Sequence, residues 1–574
     1  MQVAYNIWKE SVKKGGSFMA RRISVGGEDF VALRQSDSYY VDKTELLYEL
    51  VQESNNAVTL FTRPRRFGKT LTLSMMESFF SVFHKENREV FHGLHIMEHT
   101  EFCQEYMNQY PVLFLSLKDV EGLNFDSAYQ RLCTVLSEYC KSVESLLDSP
   151  KISVADKKIL HDLIYREASA ADVGISLKAI MRMMNAVYEK PVILLIDEYD
   201  VPLAKAHENG YYVQMLDLIR GMLSTSLKTN EYLKFAIVTG CLRIPKESIF
   251  TGVNNFACYS VLDEEFSPYF GFTQDEVEKL LDDFQLSDKA GIIKEWYDGY
   301  LFGDTEIYCP WDVVNYAAAL LKNPNAKPKN YWKNTSGNAA IRQFFEMTEF
   351  DVSDKFETLL NGGTITETVV DTLTYDNAYD SERNLWSILL MTGYITQAIR
   401  HNDESEEAEY PIELRIPNRE IAGIFQEVVV DQFVKTVNQP QLQDLMNALW
   451  NGDVAKASEI LSDLLWHTIS YMDYHENYYH AFLAGLFVGR GYEVRSNKER
   501  GLGRPDLELR DKSNRRAIII EAKRSESQSA MQNDCNEALA QIEQKKYAAN
   551  FDGYKQVMCY GVSFYKKSAL VKLM

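Results

Sequence analysis

A glycine, a lysine and a threonine follow the first apolar run of this 574-residue chain, in an order suited to binding phosphate. Gly68, Lys69 and Thr70 come soon after residues 57–61, and a segment with helical spacing follows directly. A glycine lets backbone amides approach phosphate, a lysine neutralises phosphate oxygens, and a threonine hydroxyl at a helix N-terminus can ligate Mg²⁺. Arg63 stands where such loops usually have their first glycine. The pattern indicates a site for ATP and Mg²⁺.

Two carboxylates follow a second apolar run, since residues 192–196 are followed by Asp197 and Glu198. A carboxylate at the tip of a parallel strand can hold Mg²⁺ through water, and its neighbour can polarise an attacking water. An acidic turn after a core strand is the alternative, and the upstream Gly-Lys-Thr favours nucleotide binding. Glu198 is the expected general base. The expected nucleotide-binding residues are Arg66, Phe67, Gly68, Lys69, Thr70 and Asp197, with Thr70 and Asp197 as metal ligands.

A further basic residue, Arg243, follows the apolar run 235–238. At the end of a strand beside the phosphate site, Arg243 could stabilise charge on a transferring phosphate. An exposed basic loop is the alternative, and Arg65 and Arg66 pose the same choice between phosphate contact and solvation.

A second set of charged residues lies near the C-terminus. Asp506 precedes Glu521 by 15 residues, a gap suited to two adjacent antiparallel strands whose ends bring both carboxylates together. Lys523 lies on the same strand face as Glu521 because side chains alternate. Two carboxylates and an ammonium can hold Mg²⁺ or Mn²⁺, orient water and neutralise a cleaved phosphodiester. An ion pair of Glu521 with Lys523 or Arg504 is the alternative.

This arrangement resembles the Pro-Asp…Glu-Xaa-Lys signature of the PD-(D/E)XK nuclease superfamily. The following helix, with Gln541 and Tyr547, is similar to the Gln/Tyr helix of RecB-like members. Glu476 and Glu499 are both placed to supply a third acid, and we expect Glu499 as the further metal ligand. Arg504, Gln541 and Tyr547 are the expected nucleic-acid contacts.

Alternating strands and helices must position the first set of residues. Short apolar runs predict buried strands at 57–61, 112–117, 192–196 and 235–238, and helical spacing covers 71–83 and 173–187. Strands that are apolar on both faces indicate a parallel sheet covered by helices on both sides.

Different patterns fill the rest of the chain. Residues 270–440 have helical spacing with aromatic turns, and the polar run 401–409 is typical of a solvated loop. The last part predicts a helix at 478–488, strands at 507–509 and 517–520, a helix at 535–547 and a strand at 556–560. The expected fold class is α/β, with an N-terminal phosphate-loop parallel-sheet domain, a helical middle region and a small C-terminal α/β domain of restriction-endonuclease-like type. The predicted domains are an extension at 1–29, the phosphate-loop domain at 30–268, the middle region at 269–465 and the nuclease-like domain at 466–574.

Several motifs together resemble the bacterial AAA-ATPase-like family over nearly the whole chain. The resemblance rests on 40–44, 63–70, 196–200, 246–250, Asn254, Asn255, 296–300 and 392–394. Members typically carry a C-terminal PD-(D/E)XK nuclease-like domain, and Arg63 belongs to the family's own loop pattern. The resemblance supplies no role for Asp42, Lys43, Asn254 or Asn255.

Charge is distributed unevenly along the chain, which has a net charge of −21. From residue 490 onward, 17 Lys and Arg stand against 11 Asp and Glu, a net of +6, whereas the preceding 489 residues carry 44 against 71, a net of −27. A basic end on an acidic body indicates a polyanionic partner at that end.

Composition excludes several classes of protein. An apolar fraction of 46 % argues against general disorder, and no run approaches the ~20 apolar residues of a membrane span. The first residues lack a signal-peptide pattern, and eight scattered cysteines without a CxxC pair fit reduced thiols. We therefore expect a cytoplasmic protein without a membrane partner.

The function expected from these features is ATP hydrolysis coupled to metal-dependent cleavage of nucleic acid, DNA rather than RNA. Nucleotide state would gate the nuclease, and assembly of several copies of the chain is one route for such gating. The alternative is a nucleotide-dependent switch or scaffold whose C-terminal domain binds nucleic acid or protein without cutting it. An ATPase that remodels protein partners is a third hypothesis.

Overall fold

The computed structural model describes residues 22–52, 57–244, 250, 256–332, 353–360, 362–377, 380–398, 411–425, 439–468, 479, 482–483, 486–487, 493–496, 505–551 and 553–574. The α-helices within these ranges are α1 (Phe30–Gln35), α2 (Glu45–Gln52), α3 (Lys69–Phe80), α4 (Thr100–Tyr106), α5 (Phe125–Ser142), α6 (Val154–Tyr165), α7 (Ala170–Tyr188), α8 (Val201–Glu208), α9 (Tyr212–Leu227), α10 (Gln274–Asp283), α11 (Ala290–Tyr297), α12 (Pro310–Lys322), α13 (Ser353–Leu360), α14 (Glu382–Met391), α15 (Gln439–Asn451), α16 (Val454–Thr468) and α17 (Met531–Gln544). The strands are β1 (Val58–Thr62), β2 (Val112–Ser116), β3 (Val192–Asp197), β4 (Leu233–Gly240), β5 (Phe256–Tyr259), β6 (Tyr300–Phe302), β7 (Thr305–Ile307), β8 (Ile365–Thr368), β9 (Thr396–Gln397), β10 (Pro411–Arg415), β11 (Glu493–Ser496), β12 (Leu507–Asp511), β13 (Arg516–Arg524), β14 (Gln556–Tyr565) and β15 (Ser568–Leu573). The chain divides into two compact units, one from residues up to 337 and 366–421, the other from 338–365 and 422–574.

A five-stranded parallel sheet organises the first unit. Its strand order is β2-β3-β4-β1-β5, and every neighbouring pair is parallel. All residues of β1 and β3 are buried, as expected for strands covered on both faces. The carboxyl ends of β1, β3 and β4 therefore lie side by side at one edge of the sheet.

Two apolar clusters cover the opposite faces of this sheet. Leu60, Leu194 and Val238 pack into one cluster with helices α5, α6, α7 and α9. Phe61 and Ile193, whose side chains point the other way along the same strands, pack into the second cluster with α2, α3 and α4. The alternation of side chains along a strand thus anchors the sheet between two helical layers.

Asp42 and Lys43 have structural contacts within the first unit. Asp42 accepts hydrogen bonds from the Thr44 backbone amide at 2.9 Å and the His95 amide at 2.8 Å. The Lys43 ammonium donates to both carboxylate oxygens of Glu276 at 2.6 Å. Since Glu276 also caps the start of α10, these residues tie the segment before α2 to the start of α10.

A mixed five-stranded sheet organises the second unit. Its order is β11-β12-β13-β14-β15, with β13 and β14 parallel and the other pairs antiparallel. Helix α17 packs closely on β14, since a Cβ added at Gly561 would lie 2.4 Å from the Cys535 carbonyl oxygen. Helix α16 borders the edge strand β15, where the Ser458 and Ser462 hydroxyls each accept a backbone amide at 2.9 Å. These contacts satisfy amides that an open sheet edge would expose.

The predicted α/β fold class is confirmed, with several differences in detail. Strand β4 begins two residues before the predicted run and ends two residues after it, and strands β5 to β11 and β15 were not anticipated, five of them in the middle region that was predicted to be helical. The edge strand β5 is only half-buried, so its sequence lacks the continuous apolar run of a central strand. The predicted boundary at 465/466 falls inside α16, and the predicted loop at 401–409 lies outside the described residues. Among the helices described, none has the length and apolar character needed to cross a bilayer.

Candidate nucleotide and nuclease sites

The loop between β1 and α3 has the backbone of a phosphate-binding turn. Gly68 has φ +86° and Arg66 has φ +75°, and α3 begins at Lys69 with Gly68 as its N-cap. A Cβ at Gly68 would meet no other atom, so the requirement for glycine there is conformational. The first amides of α3 have no partners inside the helix and are available to an anion.

Arg63 anchors the start of this loop instead of facing phosphate. Its side chain is fully buried, and it donates to the Tyr259 carbonyl at 2.9 Å. Its guanidinium carbon lies 5.3 Å from the centre of the Phe270 ring and 5.5 Å from that of Phe302. Burial lowers the pKa of Arg63 to about 10. The arginine that replaces the usual glycine therefore holds the loop against β5 and the following aromatic residues.

The next two loop residues, Arg66 and Phe67, pack against different aromatic side chains. The fully buried Phe67 ring packs edge-on against Tyr300 at 5.0 Å. The Arg66 guanidinium lies 4.2 Å from the centre of the Trp311 ring, in the arrangement of a cation–π contact. Phe67 therefore anchors the loop in the core, and Arg66 is held over an aromatic wall.

Lys69 is buried and saturated with partners from its own chain. Its ammonium donates to the Arg63 carbonyl at 3.0 Å and the Pro64 carbonyl at 3.1 Å. It also lies 3.2 Å from Glu198 Oε1. Burial opposes the charge, but Cys241 and the surrounding carboxylates outweigh burial and raise the pKa of Lys69. The lysine is a fixed cation in this unit.

A hydroxyl and a carboxylate meet at the tips of β3 and α3. Thr70 Oγ1 donates to Asp197 Oδ2 at 2.8 Å, and Thr239 Oγ1 donates to Asp197 Oδ1 at 2.7 Å. Burial, reinforced by Glu198, raises the pKa of Asp197 above its ordinary value. Mg²⁺ favours hydroxyl, carboxylate, phosphate and water oxygens, and Thr70 and Asp197 offer the first two at one point. Thr239 lies 42 residues from Asp197 and reaches it because β3 and β4 are neighbours.

Glu198 is placed beside Lys69 by an unusual backbone. Its φ is +53°, a left-handed conformation that costs energy for a side chain other than glycine. Its second carboxylate oxygen is buried and has no hydrogen-bond partner within the described part of the chain. The ion pair with Lys69 therefore engages one carboxylate oxygen, and the other accepts no hydrogen bond from the described residues.

Asp200 organises the loop after β4. It accepts hydrogen bonds from the Cys241 and Leu242 amides at 3.0 Å each and from the Tyr375 hydroxyl at 2.9 Å. A Cβ at Gly240 would lie 2.7 Å from Asp200 Oδ1, so the two strand ends fit together only with glycine there. This role was not predicted from the sequence because Tyr375 is 175 residues from Asp200 and no local pattern connects the two.

Arg243, expected to stabilise charge on phosphate, has an acidic partner within the first unit. Its guanidinium forms an ion pair with Asp371, and its carbonyl accepts the Leu373 amide at 3.0 Å. Asn254 and Asn255, to which the sequence assigned no role, lie outside the described residues.

A cavity of about 420 Å³ opens above the loop. Its lining includes the charged side chains of Arg65, Lys69 and Glu198 and several aromatic side chains: Tyr39, Tyr40, Phe272 and Trp311. Its volume lies in the range of small-molecule sites. The lining of the cavity therefore combines charged side chains, some of them from the phosphate-binding loop, with aromatic side chains.

Two buried carboxyls lie close behind this loop. The Trp332 indole nitrogen donates to the Arg65 carbonyl at 3.4 Å, and the Trp332 amide donates to Glu420 Oε1 at 2.7 Å. Asp312 and Glu420 are 2 % and 0 % exposed. Burial raises the pKa of Asp312, and burial together with Asp312 raises that of Glu420. The pair therefore favours at least one protonated carboxyl at neutral pH.

The second unit brings the predicted nuclease carboxylates together. The Asp506 amide donates to Glu521 Oε2 at 3.3 Å, and the Ala522 amide donates to Asp506 Oδ2 at 2.9 Å. This proximity follows from the antiparallel pairing in which Leu507 faces Ile520. Glu521 is 2 % exposed. Asp506 and Glu521 thus offer carboxylate oxygens at one strand end, the donor set that Mg²⁺ and Mn²⁺ favour.

Helix α17 and the segment after it contact this carboxylate pair. Gln541 donates its side-chain amide to Glu521 Oε1. Burial raises the pKa of Tyr547, and Glu521 adds to the rise while Gln541 opposes it. Lys523 is half-buried on β13, two residues beyond Glu521. The structure therefore gathers Asp506, Glu521, Gln541 and Tyr547, while the expected Glu499 and Arg504 lie outside the described residues, as does Glu476.

Comparisons with known proteins match different families to the regions that contain the two candidate sites. Residues 24–250 match the family model described as "Predicted AAA-ATPase", and residues 474–573 match that of the PD-(D/E)XK nuclease superfamily. A protein of Azotobacter chroococcum mcd 1 described as "Uncharacterized protein in vnfD 5'region" is 23 % identical over 570 residues, covering 96 % of this chain and 98 % of that protein. The chain therefore combines a domain of the AAA-ATPase-like family at residues 24–250 with a C-terminal domain of the PD-(D/E)XK nuclease superfamily at residues 474–573.

Proposed function

We propose that this protein hydrolyses Mg-ATP in its first unit and cleaves DNA with Mg²⁺ or Mn²⁺ in its second. The observation that carries the ATPase proposal is the convergence of Lys69, Thr70, Asp197 and Glu198 at the carboxyl ends of β1 and β3. Ligands of open parallel sheets bind at such ends.

Each residue of the first site has a distinct part in hydrolysis. Lys69 would hold the β- and γ-phosphate oxygens, and Thr70 and Asp197 would hold Mg²⁺. The metal, when bound, neutralises phosphate charge. Phosphate would draw Lys69 from Glu198, and Glu198 would then accept a proton from the attacking water.

The second site supports phosphodiester cleavage. Asp506 and Glu521 would hold the metal, and Gln541 orients Glu521 through its hydrogen bond. Lys523 would stabilise charge on the phosphate, since an ammonium on the same strand face as Glu521 can approach the same group. The basic excess of the last 85 residues supports a nucleic-acid substrate.

Two variants test the two activities separately. Lys69→Ala should abolish ATP turnover, and Glu521→Ala should abolish nicking of a supercoiled plasmid in Mg²⁺ or Mn²⁺ without changing ATP turnover in the absence of DNA. Unchanged turnover in Lys69→Ala contradicts the ATPase, and nicking that survives Glu521→Ala contradicts the nuclease. Plasmid binding without nicking by the wild-type protein would favour the nucleotide-dependent scaffold.

A further inference from the structure

The two consecutive arginines of the phosphate-binding loop serve different parts of the cavity. Arg66 is held over the Trp311 ring. Arg65 lines the cavity together with Lys69 and Glu198, which are themselves 3.2 Å apart. Arg66 is therefore held by an aromatic side chain, whereas Arg65 shares the cavity with Lys69 and Glu198.

The charged surroundings of Arg65 are those of Lys69. Both cations interact electrostatically with Glu198, Asp200 and Cys241. Burial disfavours the Arg65 charge, but Cys241, Tyr375 and the two carboxylates outweigh burial and raise the pKa of Arg65. The two cations thus share one group of neighbours, where the γ-phosphate and its attacking water must lie if Glu198 is the base.

Arg65 and Arg243 differ in whether a carboxylate of the described residues already pairs with the guanidinium. Arg243 is paired with Asp371. Among the described residues, no carboxylate is close enough to the Arg65 guanidinium to form an ion pair with it. A half-buried guanidinium that faces carboxylates without pairing with one can accept a phosphate in their place.

We propose that Arg65 is a catalytic residue that stabilises the charge on the γ-phosphate during ATP hydrolysis, supplied by the phosphate-binding loop of the same chain. This inference rests on the proposed ATPase function. The water oxygen forms a bond to the γ-phosphorus, and the bond from that phosphorus to the β,γ-bridging oxygen breaks. The bridging oxygen keeps the electron pair and leaves on ADP, and one water proton passes to Glu198. The products are ADP, phosphate and a proton, and Arg65 donates hydrogen bonds to the transferring group.

The test compares the rate of hydrolysis with the binding of a transition-state mimic. Arg65→Met keeps an apolar side chain of similar reach without the charge. Arg131→Met, on the exposed side of α5, is the matched control. Single-turnover phosphate release gives the rate, and a fluorescent ADP gives affinities with and without aluminium fluoride.

We expect Arg65→Met to slow hydrolysis by about 10²-fold or more and to weaken the ADP–aluminium fluoride complex similarly, with ADP affinity changed by less than about threefold. A purely structural role would weaken both complexes together. Arg65→Lys retains a charge but not the planar fork, so we expect at least about tenfold slower hydrolysis even if Arg65→Met does not fold. Arg131→Met should match the wild type.

Three results would overturn the inference. The first is hydrolysis at the wild-type rate in both Arg65 variants. The second is equal loss of ADP and ADP–aluminium fluoride binding, and the third is a loss of rate in Arg243→Met that the Arg65 variants do not show. A wild-type protein that does not hydrolyse ATP would overturn the proposed ATPase as well, so the two failures are distinguishable.

Discussion

Replacing Glu198 by glutamine should separate nucleotide binding from hydrolysis. The change removes the acceptor for the water proton and also the charge that holds Lys69 at 3.2 Å. Because ATP must compete with Glu198 for the ammonium, we expect Glu198→Gln to bind ATP more tightly while hydrolysing it more slowly.

The magnitude follows from the geometry of the ion pair. Lys69 and Glu198 are 3 % and 15 % exposed. At an effective dielectric constant of about 20, a separation of 3.2 Å gives a gross attraction of about 5 kcal/mol. Desolvation offsets most of this attraction and leaves about 1–2 kcal/mol. Releasing Lys69 should therefore raise ATP affinity by about 5- to 30-fold, and loss of the base should slow hydrolysis by about 10²- to 10⁴-fold.

Equilibrium binding of a fluorescent ATP analogue and phosphate release measure the two effects on one preparation. Glu138→Gln is the matched control, since Glu138 pairs with Lys141 at 2.6 Å on the exposed surface of α5. The control should change neither quantity. Unchanged or weaker ATP binding in Glu198→Gln would refute the competition, and wild-type turnover would refute the role of Glu198 as base.

Three further predictions concern stability and the second site. Burial raises the carboxyl pKa values of Asp312 and Glu420, so the folded state binds more protons than the unfolded state, and stability is lost as pH rises above the ordinary carboxyl pKa of about 4. Thermal melts at pH 5 to 9 should show a melting temperature that decreases as pH rises, and the decrease should be smaller in Glu420→Gln than in the wild type. Parallel profiles of the two proteins would contradict this account. Gly240→Ala should destabilise the first unit by about 1–3 kcal/mol in urea unfolding because its Cβ would lie 2.6 Å from the Tyr199 ring; the control Gly221→Ala has no such neighbour and should not destabilise it. Gln541→Ala should reduce plasmid nicking by about 10- to 100-fold through loss of the hydrogen bond to Glu521, whereas unchanged nicking would exclude an orienting role.

Local patterns were sufficient for the fold class and for the strand, loop and helix around Gly68, Lys69 and Thr70. A run of apolar residues followed by Gly68, Lys69 and Thr70 specifies a strand, a loop and a helix by short-range preferences alone. The spacing of Asp506 and Glu521 predicted their proximity for a similar reason. Two antiparallel strands joined by a short turn bring positions on either side of the turn close together.

Interactions between distant segments were not predictable in this way. The role of Arg63 was not predicted from the sequence, and its hydrogen bond to Tyr259, 196 residues away, explains why an arginine fits there. Arg243 was expected at the phosphate because it follows a strand, and its ion-pair partner Asp371, which comes from a segment 128 residues later, was not predicted. A charge at a strand end can turn to any partner that the fold brings close, and sequence alone does not show which partner that is.

The sequence by itself determined which groups could carry out chemistry and the two domains to which they belong. Only the tertiary structure decided which partners those groups have: Lys69 pairs with Glu198, Arg66 lies over the Trp311 ring, Arg243 pairs with Asp371, and Arg65 lines the same cavity as Lys69. The physical reason is that periodicity and turn preferences act over a few residues, whereas ion pairs and burial depend on which strands and helices become neighbours in space.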